Sequence, residues 1–433
     1  MVADPRFFAR PGRVDDPHSS LSIAERDRRW GALRARMSAA GVDCLLIWGK
    51  GRGLGGNCRW IDNADFGERC LVFPLKGNPV TMWTISSWSR WFSESCWEGV
   101  EYIGAEGKDS VAAAGVIAEY GYSAGTVGVV GLGGAGMGAE GAMPYFTWRN
   151  LQALLPEARF CEAGALLREL RMYKSDEELR LVGKASEIAN IEIDAALRAT
   201  RPGVRESELY ALMEAAGLSA GADPVRDYFT ILSSGKGYPT NRRQTDRLMR
   251  SGDMVQSGIY TRYGGYWAHP HMAISMGPID PEYVPMREAV LESTHAIIAA
   301  LKPGTPWSEV ERIADEPILR RGYYHEITHV HSLGLDGTEP PVAVMSAGTL
   351  PKEAGWRRPP VIGSVRENDE WKAFAATDPF AQRAVTVEPG MVLALEVKAT
   401  LQDRIFLEFG PQVVVKSDGV EIQNPDAMDV IQL

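Results

Sequence analysis

Five of the seven histidines fall in two short runs: AHPHMA, with His269 and His271, and HEITHVHSLG, with His325, His329 and His331. On a strand, residues i and i+2 share a face, so each His-x-His pair can turn both rings the same way. Imidazole is both a metal ligand and a base near neutral pH. Two carboxylates stand beside these runs in interest: Glu396 in VLALEVKA and Glu408 in FLEFGPQVVV. A carboxylate inside an apolar strand is costly unless it is paired or bound to a cation. Such a set can transfer protons, hold a divalent cation, or do both. Each histidine can instead pack structurally, and each glutamate can face water. Lys398, two residues beyond Glu396, can pair with it.

The elements that must position these groups come in two blocks. Residues 22–172 alternate helical and strand patterns: an amphipathic stretch from Arg28 to Ala40, then VDCLLIW, CLVFP (70–74), PVTMWTI (79–85) and TVGVVGL (126–132), then a helical stretch near 145–155. That alternation implies an α/β domain with a covered sheet. A boundary is expected at Tyr173, giving domains 1–172 and 173–433. Beyond it, Ser175 and Glu178 form a capping box for a helix striped by Leu179, Val182, Ala189, Ile193 and Leu197, which Pro202-Gly203 ends.

The second block repeats itself. RPGVRESEL (201–209) is echoed by KPGTPWSEV (302–310), with helices expected to open at Ser207 and Ser308, and GDMV (252–255) is echoed by PGMV (389–392). Two similar halves facing each other would place a pocket between them.

Composition narrows the partners. Across 433 residues the net charge is -10, which excludes the basic footprint of a nucleic-acid binder. No apolar run is long enough for a membrane span, and the N-terminus lacks a signal-peptide core. Five cysteines without CxxC spacing indicate neither a disulfide framework nor a zinc ribbon, so a reducing cytoplasm is expected. GLGGAG (131–136) fits a phosphate-cradling pattern but lacks the rest of a dinucleotide unit, and is expected to be a loop. Trp83, Trp88, Trp91 and Trp97 crowd one stretch, as core, subunit interface or an aromatic wall.

These residues carry a family resemblance. RELRMYKSDEELRLVGKASEIAN (168–190) resembles the junction between the two domains of creatinase, prolidase and aminopeptidase P relatives. TDRLMRSGDMV (245–255), YGGYW (263–267), HSLGLDGTEPP (331–341) and VEPGMVLALE (387–396) are similar to successive landmarks of that family, in order. The resemblance spans roughly residues 22–425. It implies an α/β (α+β) chain: an N-terminal creatinase-like α/β domain and a C-terminal pita-bread domain with pseudo-twofold duplication.

The family's peptidases use two metals held by two aspartates, one histidine and two glutamates. By resemblance those positions fall on Gly258, His269, His331, Glu396 and Glu408; both aspartates are gone. Glycine has no ligand atom, so a two-metal clamp is not expected. His269, His331, Glu396 and Glu408 remain as a set for one divalent metal (zinc, iron or manganese), with a metal-free site as the alternative. His271 falls on creatinase's catalytic glutamate position, whereas creatinase's catalytic histidine falls on Asn241, and a further substrate-binding histidine falls on Thr338.

The expectation is a small-molecule hydrolase cutting a C–N or amide bond, with His271, His331, Glu396 and Glu408 as catalytic residues. The alternatives are a metal-dependent lyase resembling dimethylsulfoniopropionate lyase, an Xaa-Pro-type metallopeptidase with an altered site, and a non-enzymatic binding module. Asn241 and His329 are expected to bind substrate. The resemblance further implies a homodimer whose partner N-terminal domain closes the pocket through the loop WIDNADFGERC (60–70), offering Trp60, Phe66 and Arg69, with Glu68 competing for the place of Arg69.

Overall fold

The computed structural model describes residues 21–50, 55–64, 69–84, 96–132, 141–224, 231–237, 242–325, 328–344, 385–401 and 404–433. Asn241, Phe66, Glu68, Trp88, Trp91 and most of the 131–136 loop lie outside them. The chain divides into two compact units, Met1–Met172 and Tyr173–Leu433.

In the first unit, strands β1 (Cys44–Gly49), β2 (Arg69–Pro74), β3 (Val80–Trp83), β4 (Glu101–Gly104), β5 (Thr126–Val130) and β6 (Arg159–Glu162) form one sheet in the order β4-β3-β2-β1-β5-β6. β1 is antiparallel to β2 and parallel to β5. The central strands are apolar runs because both of their faces are covered. Leu46, Trp48, Val72, Val127 and Val129 pack with Ile117 and Leu151 of flanking helices. The helix Ile23–Ala40 starts five residues before Arg28, capped by the Ser22 hydroxyl, which accepts from Glu25 N. Sequence periodicity did not reveal β4 or β6, which are short and half exposed.

The second unit opens with the helix Asp176–Ala199, and its capping box forms as expected: Ser175 accepts from Glu178 N while the Glu178 carboxylate accepts from Ser175 N. Such a cap is worth about 1 kcal/mol. Strands β7 (Ile231–Ser234), β8 (Met254–Gly258), β9 (Thr261–Tyr263), β10 (Tyr266–Ala268) and β11 (His271–Ser275) form the first half. β12 (Thr328–Ser332), β13 (Glu339–Val344), β14 (Val392–Leu395), β15 (Lys398–Leu401), β16 (Ile405–Glu408), β17 (Gln412–Lys416), β18 (Gly419–Ile422) and β19 (Ile431–Gln432) follow. They assemble as β19-β11-β8-β7, β13-β12-β14-β17-β18, β15-β16 and β10-β9.

The sequence echo is a structural repeat. Gly203 and Gly304 take nearly the same left-handed φ, 90° and 89°, as do Gly252 and Gly390, 83° and 89°. Arg205 bridges Leu248 as Pro306 bridges Thr386. The helices after these turns begin at Glu206 and Trp307, one residue earlier than Ser207 and Ser308. Neither Arg205 nor Pro306 supplies a side-chain cap; the backbone bridge fixes the helix start instead, and Ser207 is free to donate to Asp246.

Hydrogen bonds tie the halves together beside these acids and histidines. His271 and Gly410 exchange backbone hydrogen bonds of 2.8 and 3.0 Å. The Gln256 side chain of β8 donates to Phe406 O and accepts from Glu408 N, standing in for a strand at that point.

Candidate functional site

The cluster is built from residues at or near the ends of six strands. Gly258 closes β8 and His271 opens β11, and the two are direct register partners. His269 lies just outside β11, beyond Pro270. His331 sits in β12 opposite Ala394 of β14, so Glu396 emerges next to it where β14 ends. Lys398 and Glu408 face each other across the β15–β16 pair.

These residues converge on one carboxylate oxygen. Glu396 Oε1 lies 2.9 Å from His269 Nε2, 3.2 Å from His271 Nε2 and 3.7 Å from His331 Nε2. The two rings of the 269/271 pair meet edge to face, with Nε2 atoms 2.9 Å apart. His271 Nδ1 lies 3.3 Å from Glu408 Oε1, and Lys398 Nζ lies 3.4 Å from Glu408 Oε2. All of these side chains are buried.

Burial and neighbours set the charges. Burial, reinforced by His271, pushes His269 down to about 4. Burial acts the same way on His271, but Glu408 and Glu396 overcome it and hold the ring up at about 9. Burial also disfavours the charge of Glu396, yet hydrogen bonds from His269, His271 and His331 keep it well below the usual carboxylate range. Glu408 is lowered as well, against its burial, by Lys398 and His271. The result is an ionised carboxylate in contact with a protonated imidazole, a proton acceptor beside a proton donor.

The donor set fits one cation. His269 Nδ1 is 2.8 Å from Ile259 O and His331 Nδ1 is 3.0 Å from Ser332 O, so a carbonyl orients each ring with Nε2 toward Glu396, where a cation would take the place of the Nε2 proton. Backbone carbonyls fix metal-ligating imidazoles in this way. Among the described residues, the two Nε2 atoms with Glu396 form one of two groups of ligand atoms lying within 4.8 Å of one another; the other is His271, Glu396 and Glu408. Position 258 has no ligand atom, and the His271 ring fills the space beside it.

Several expected residues are placed elsewhere. His329 was expected to join His331; instead its Nε2 lies 2.8 Å from Asp315 and its ring lies against His325, centroids 3.4 Å apart. The pairing of β12 with β13 shifts register between Thr328 and Val330, on either side of His329. Lys398 pairs with Glu408 rather than Glu396, because the chain turns between β14 and β15. Arg69 is only 2% exposed, its guanidinium donating to both Asp62 oxygens at 2.8 and 2.6 Å and to Ala64 O. Trp60 is equally buried, with the Arg29 guanidinium over its ring. Both residues therefore serve the interior of the first unit instead of offering side chains to a substrate. Thr338 is half-buried in the turn before β13.

Tyr260 was not anticipated. Its ring stacks on His269, centroids 3.7 Å apart, with Trp267 edge-on at 6.0 Å. No periodicity marks it, since it lies in the turn between β8 and β9.

Comparison with known proteins agrees with this architecture. The model of the Creatinase/Prolidase N-terminal domain matches residues 29–173, and that of Metallopeptidase family M24 matches residues 180–424. An Xaa-Pro dipeptidase of Pyrococcus furiosus is 29% identical over 221 residues, covering 50% of this chain and 63% of the relative. An uncharacterised peptidase of Bacillus subtilis is 25% identical over 214 residues, covering 49% and 61%. The matching stretches thus span less than two thirds of these relatives. Among solved structures, a recombinant prolidase from Thermococcus sibiricus superposes with a TM-score of 0.73 at 18% identity, covering 96% of this chain and all of that one. An Xaa-Pro dipeptidase from Bacillus anthracis gives 0.72 at 18%, covering 94% and all of that chain. Matched over more than half its length and sharing the two-domain pita-bread fold, this chain belongs to Metallopeptidase family M24, the creatinase/prolidase/aminopeptidase P group.

Proposed function

We propose that the protein hydrolyses a C–N or amide bond of a small molecule. The observation that carries this reading is the contact between Glu396, held ionised, and His271, held protonated, 3.2 Å apart. Glu396 accepts a proton from water as the water oxygen bonds to the substrate carbon. His271 donates its Nε2 proton to the nitrogen as the C–N bond breaks. The proton on Glu396 then returns to His271, restoring both groups. Glu408 and Lys398 keep the ring oriented from its other side, and His331 helps to orient Glu396. A divalent cation at His269, His331 and Glu396 would add Lewis-acid polarisation of the reacting carbonyl or amidine.

The expected homodimer belongs to this reading, and mass photometry of the purified protein measures it. A second reading, an Xaa-Pro-type peptidase, is favoured by the P. furiosus relative. The deciding assay is a panel of Xaa-Pro dipeptides beside small amides, ureas and guanidino compounds, run with manganese, cobalt or zinc and with chelator. Turnover of a small amide or guanidino compound, abolished in both H271A and E396Q, supports the proposal. Turnover confined to Xaa-Pro dipeptides, or full activity in both variants, overturns it.

A further inference from the structure

We propose that His271 and Lys398 stand in for the second cation of the family's two-metal site, so that this cluster takes up at most one divalent metal ion. The inference concerns the same cluster as the proposed reaction and deepens it.

Three features of the chain carry it. The first is steric. A Cβ placed on Gly258 would lie 2.7 Å from His271 Cε1, 3.1 Å from its Nδ1 and 3.4 Å from His269 Cε1. Real Cβ atoms do not approach as near as 2.7 Å, so a side chain at 258 requires the His271 ring to move. The ring is therefore lodged where a ligand from position 258 would enter.

The second is the state of Glu408. A carboxylate shared by two cations needs an oxygen for each. Here Oε1 faces His271 Nδ1 at 3.3 Å and Oε2 faces Lys398 Nζ at 3.4 Å. Both oxygens meet nitrogen donors fixed to the chain. Lys398 is fully buried and directly opposite Glu408 in register, so it cannot swing aside to water.

The third is the asymmetry of what remains. His269 and His331 each commit Nδ1 to a carbonyl and turn Nε2 toward Glu396, as a ligand would. His271 does the opposite and spans two carboxylates with its two nitrogens. One side of the cluster is a ligand set, and the other is already filled with nitrogen donors.

The test is a metal count. Protein purified without chelator is dialysed against excess manganese, cobalt or zinc, desalted, and measured by elemental analysis and native mass spectrometry. None or one ion per chain supports the proposal; two ions per chain overturn it. The double variant G258D/H271A restores a carboxylate and removes the ring, and it is expected to gain one ion. A folded double variant with an unchanged count overturns the exchange. If that protein does not fold, H271D takes its place with the same expectation and the same criterion. Hydrolysis plays no part in the count. An inactive protein with one ion would sink the proposed reaction and leave this inference standing, and an active one with two ions would do the reverse.

Discussion

Gly258 and His271 are opposite residues of an antiparallel pair, and the imidazole of one occupies the room that a side chain of the other would need. Gly258→Ala is therefore expected to push the ring off Glu396 and Glu408. Overpacking of this kind costs about 1–3 kcal/mol. The melting temperature should fall and turnover of the eventual substrate should drop by at least tenfold. An unchanged Tm and rate would mean that the ring has room to yield.

Glu396 is the common partner of three imidazoles. Glu396→Gln keeps the shape and removes the charge. The variant should stay folded by circular dichroism and lose hydrolysis by about 100-fold or more, the scale of general acid–base contributions. Retained activity would remove Glu396 from the reaction.

Lys398 and Glu408 form a buried pair, and removing one partner strands the other. Such losses typically cost about 3–5 kcal/mol. His271 still faces Glu408, so Lys398→Met should fall toward the lower end. Adding Glu408→Gln should recover part of the loss in a denaturant-midpoint measurement. If the two substitutions simply add, the pair is not coupled.

Arg69 separates a structural role from a substrate role. Its bidentate bond to buried Asp62 predicts that Arg69→Ala destabilises the first unit by about 3–5 kcal/mol. Arg69→Lys loses the fork geometry and should be intermediate. A variant with wild-type stability and a raised KM would return Arg69 to the substrate.

Glu192 offers a pH test away from the cluster. Burial, with Glu214 nearby and against a hydrogen bond from Thr261, raises its carboxyl to about 8. The folded state thus keeps a proton that the unfolded chain releases near its ordinary value of 4.5. The folded state binds more protons in that window, so this group's contribution to stability declines as pH rises from about 4.5 to 8. Glu192→Gln removes the ionisation and should flatten that decline. Its advantage should grow toward pH 8, on the order of 1–3 kcal/mol by denaturant unfolding. Parallel stability profiles for wild type and variant would contradict it.

Much of the site was legible in the chain because its signals are local. The 269/271 pair, Glu396 and Glu408 stand out as polar groups in apolar strands, and the capping box, the strand runs and the repeated Pro-Gly turns depend on near neighbours. The Asp315 partner of His329 lies on a helix fourteen residues earlier, so the His-x-His run by itself does not reveal it. Lys398 can pair with Glu396 by nearness in sequence, but its cross-strand partner is Glu408, ten residues away. Arg69 was expected at the pocket of a partner subunit; within its own unit it is buried against Asp62, a pairing that the loop sequence alone does not specify. The sequence by itself determined the family, the two blocks and the glycine at position 258. Only the tertiary structure decided what that loss makes room for: the freed volume beside Gly258 is bounded by strands distant along the chain, and the ring of His271 fills it.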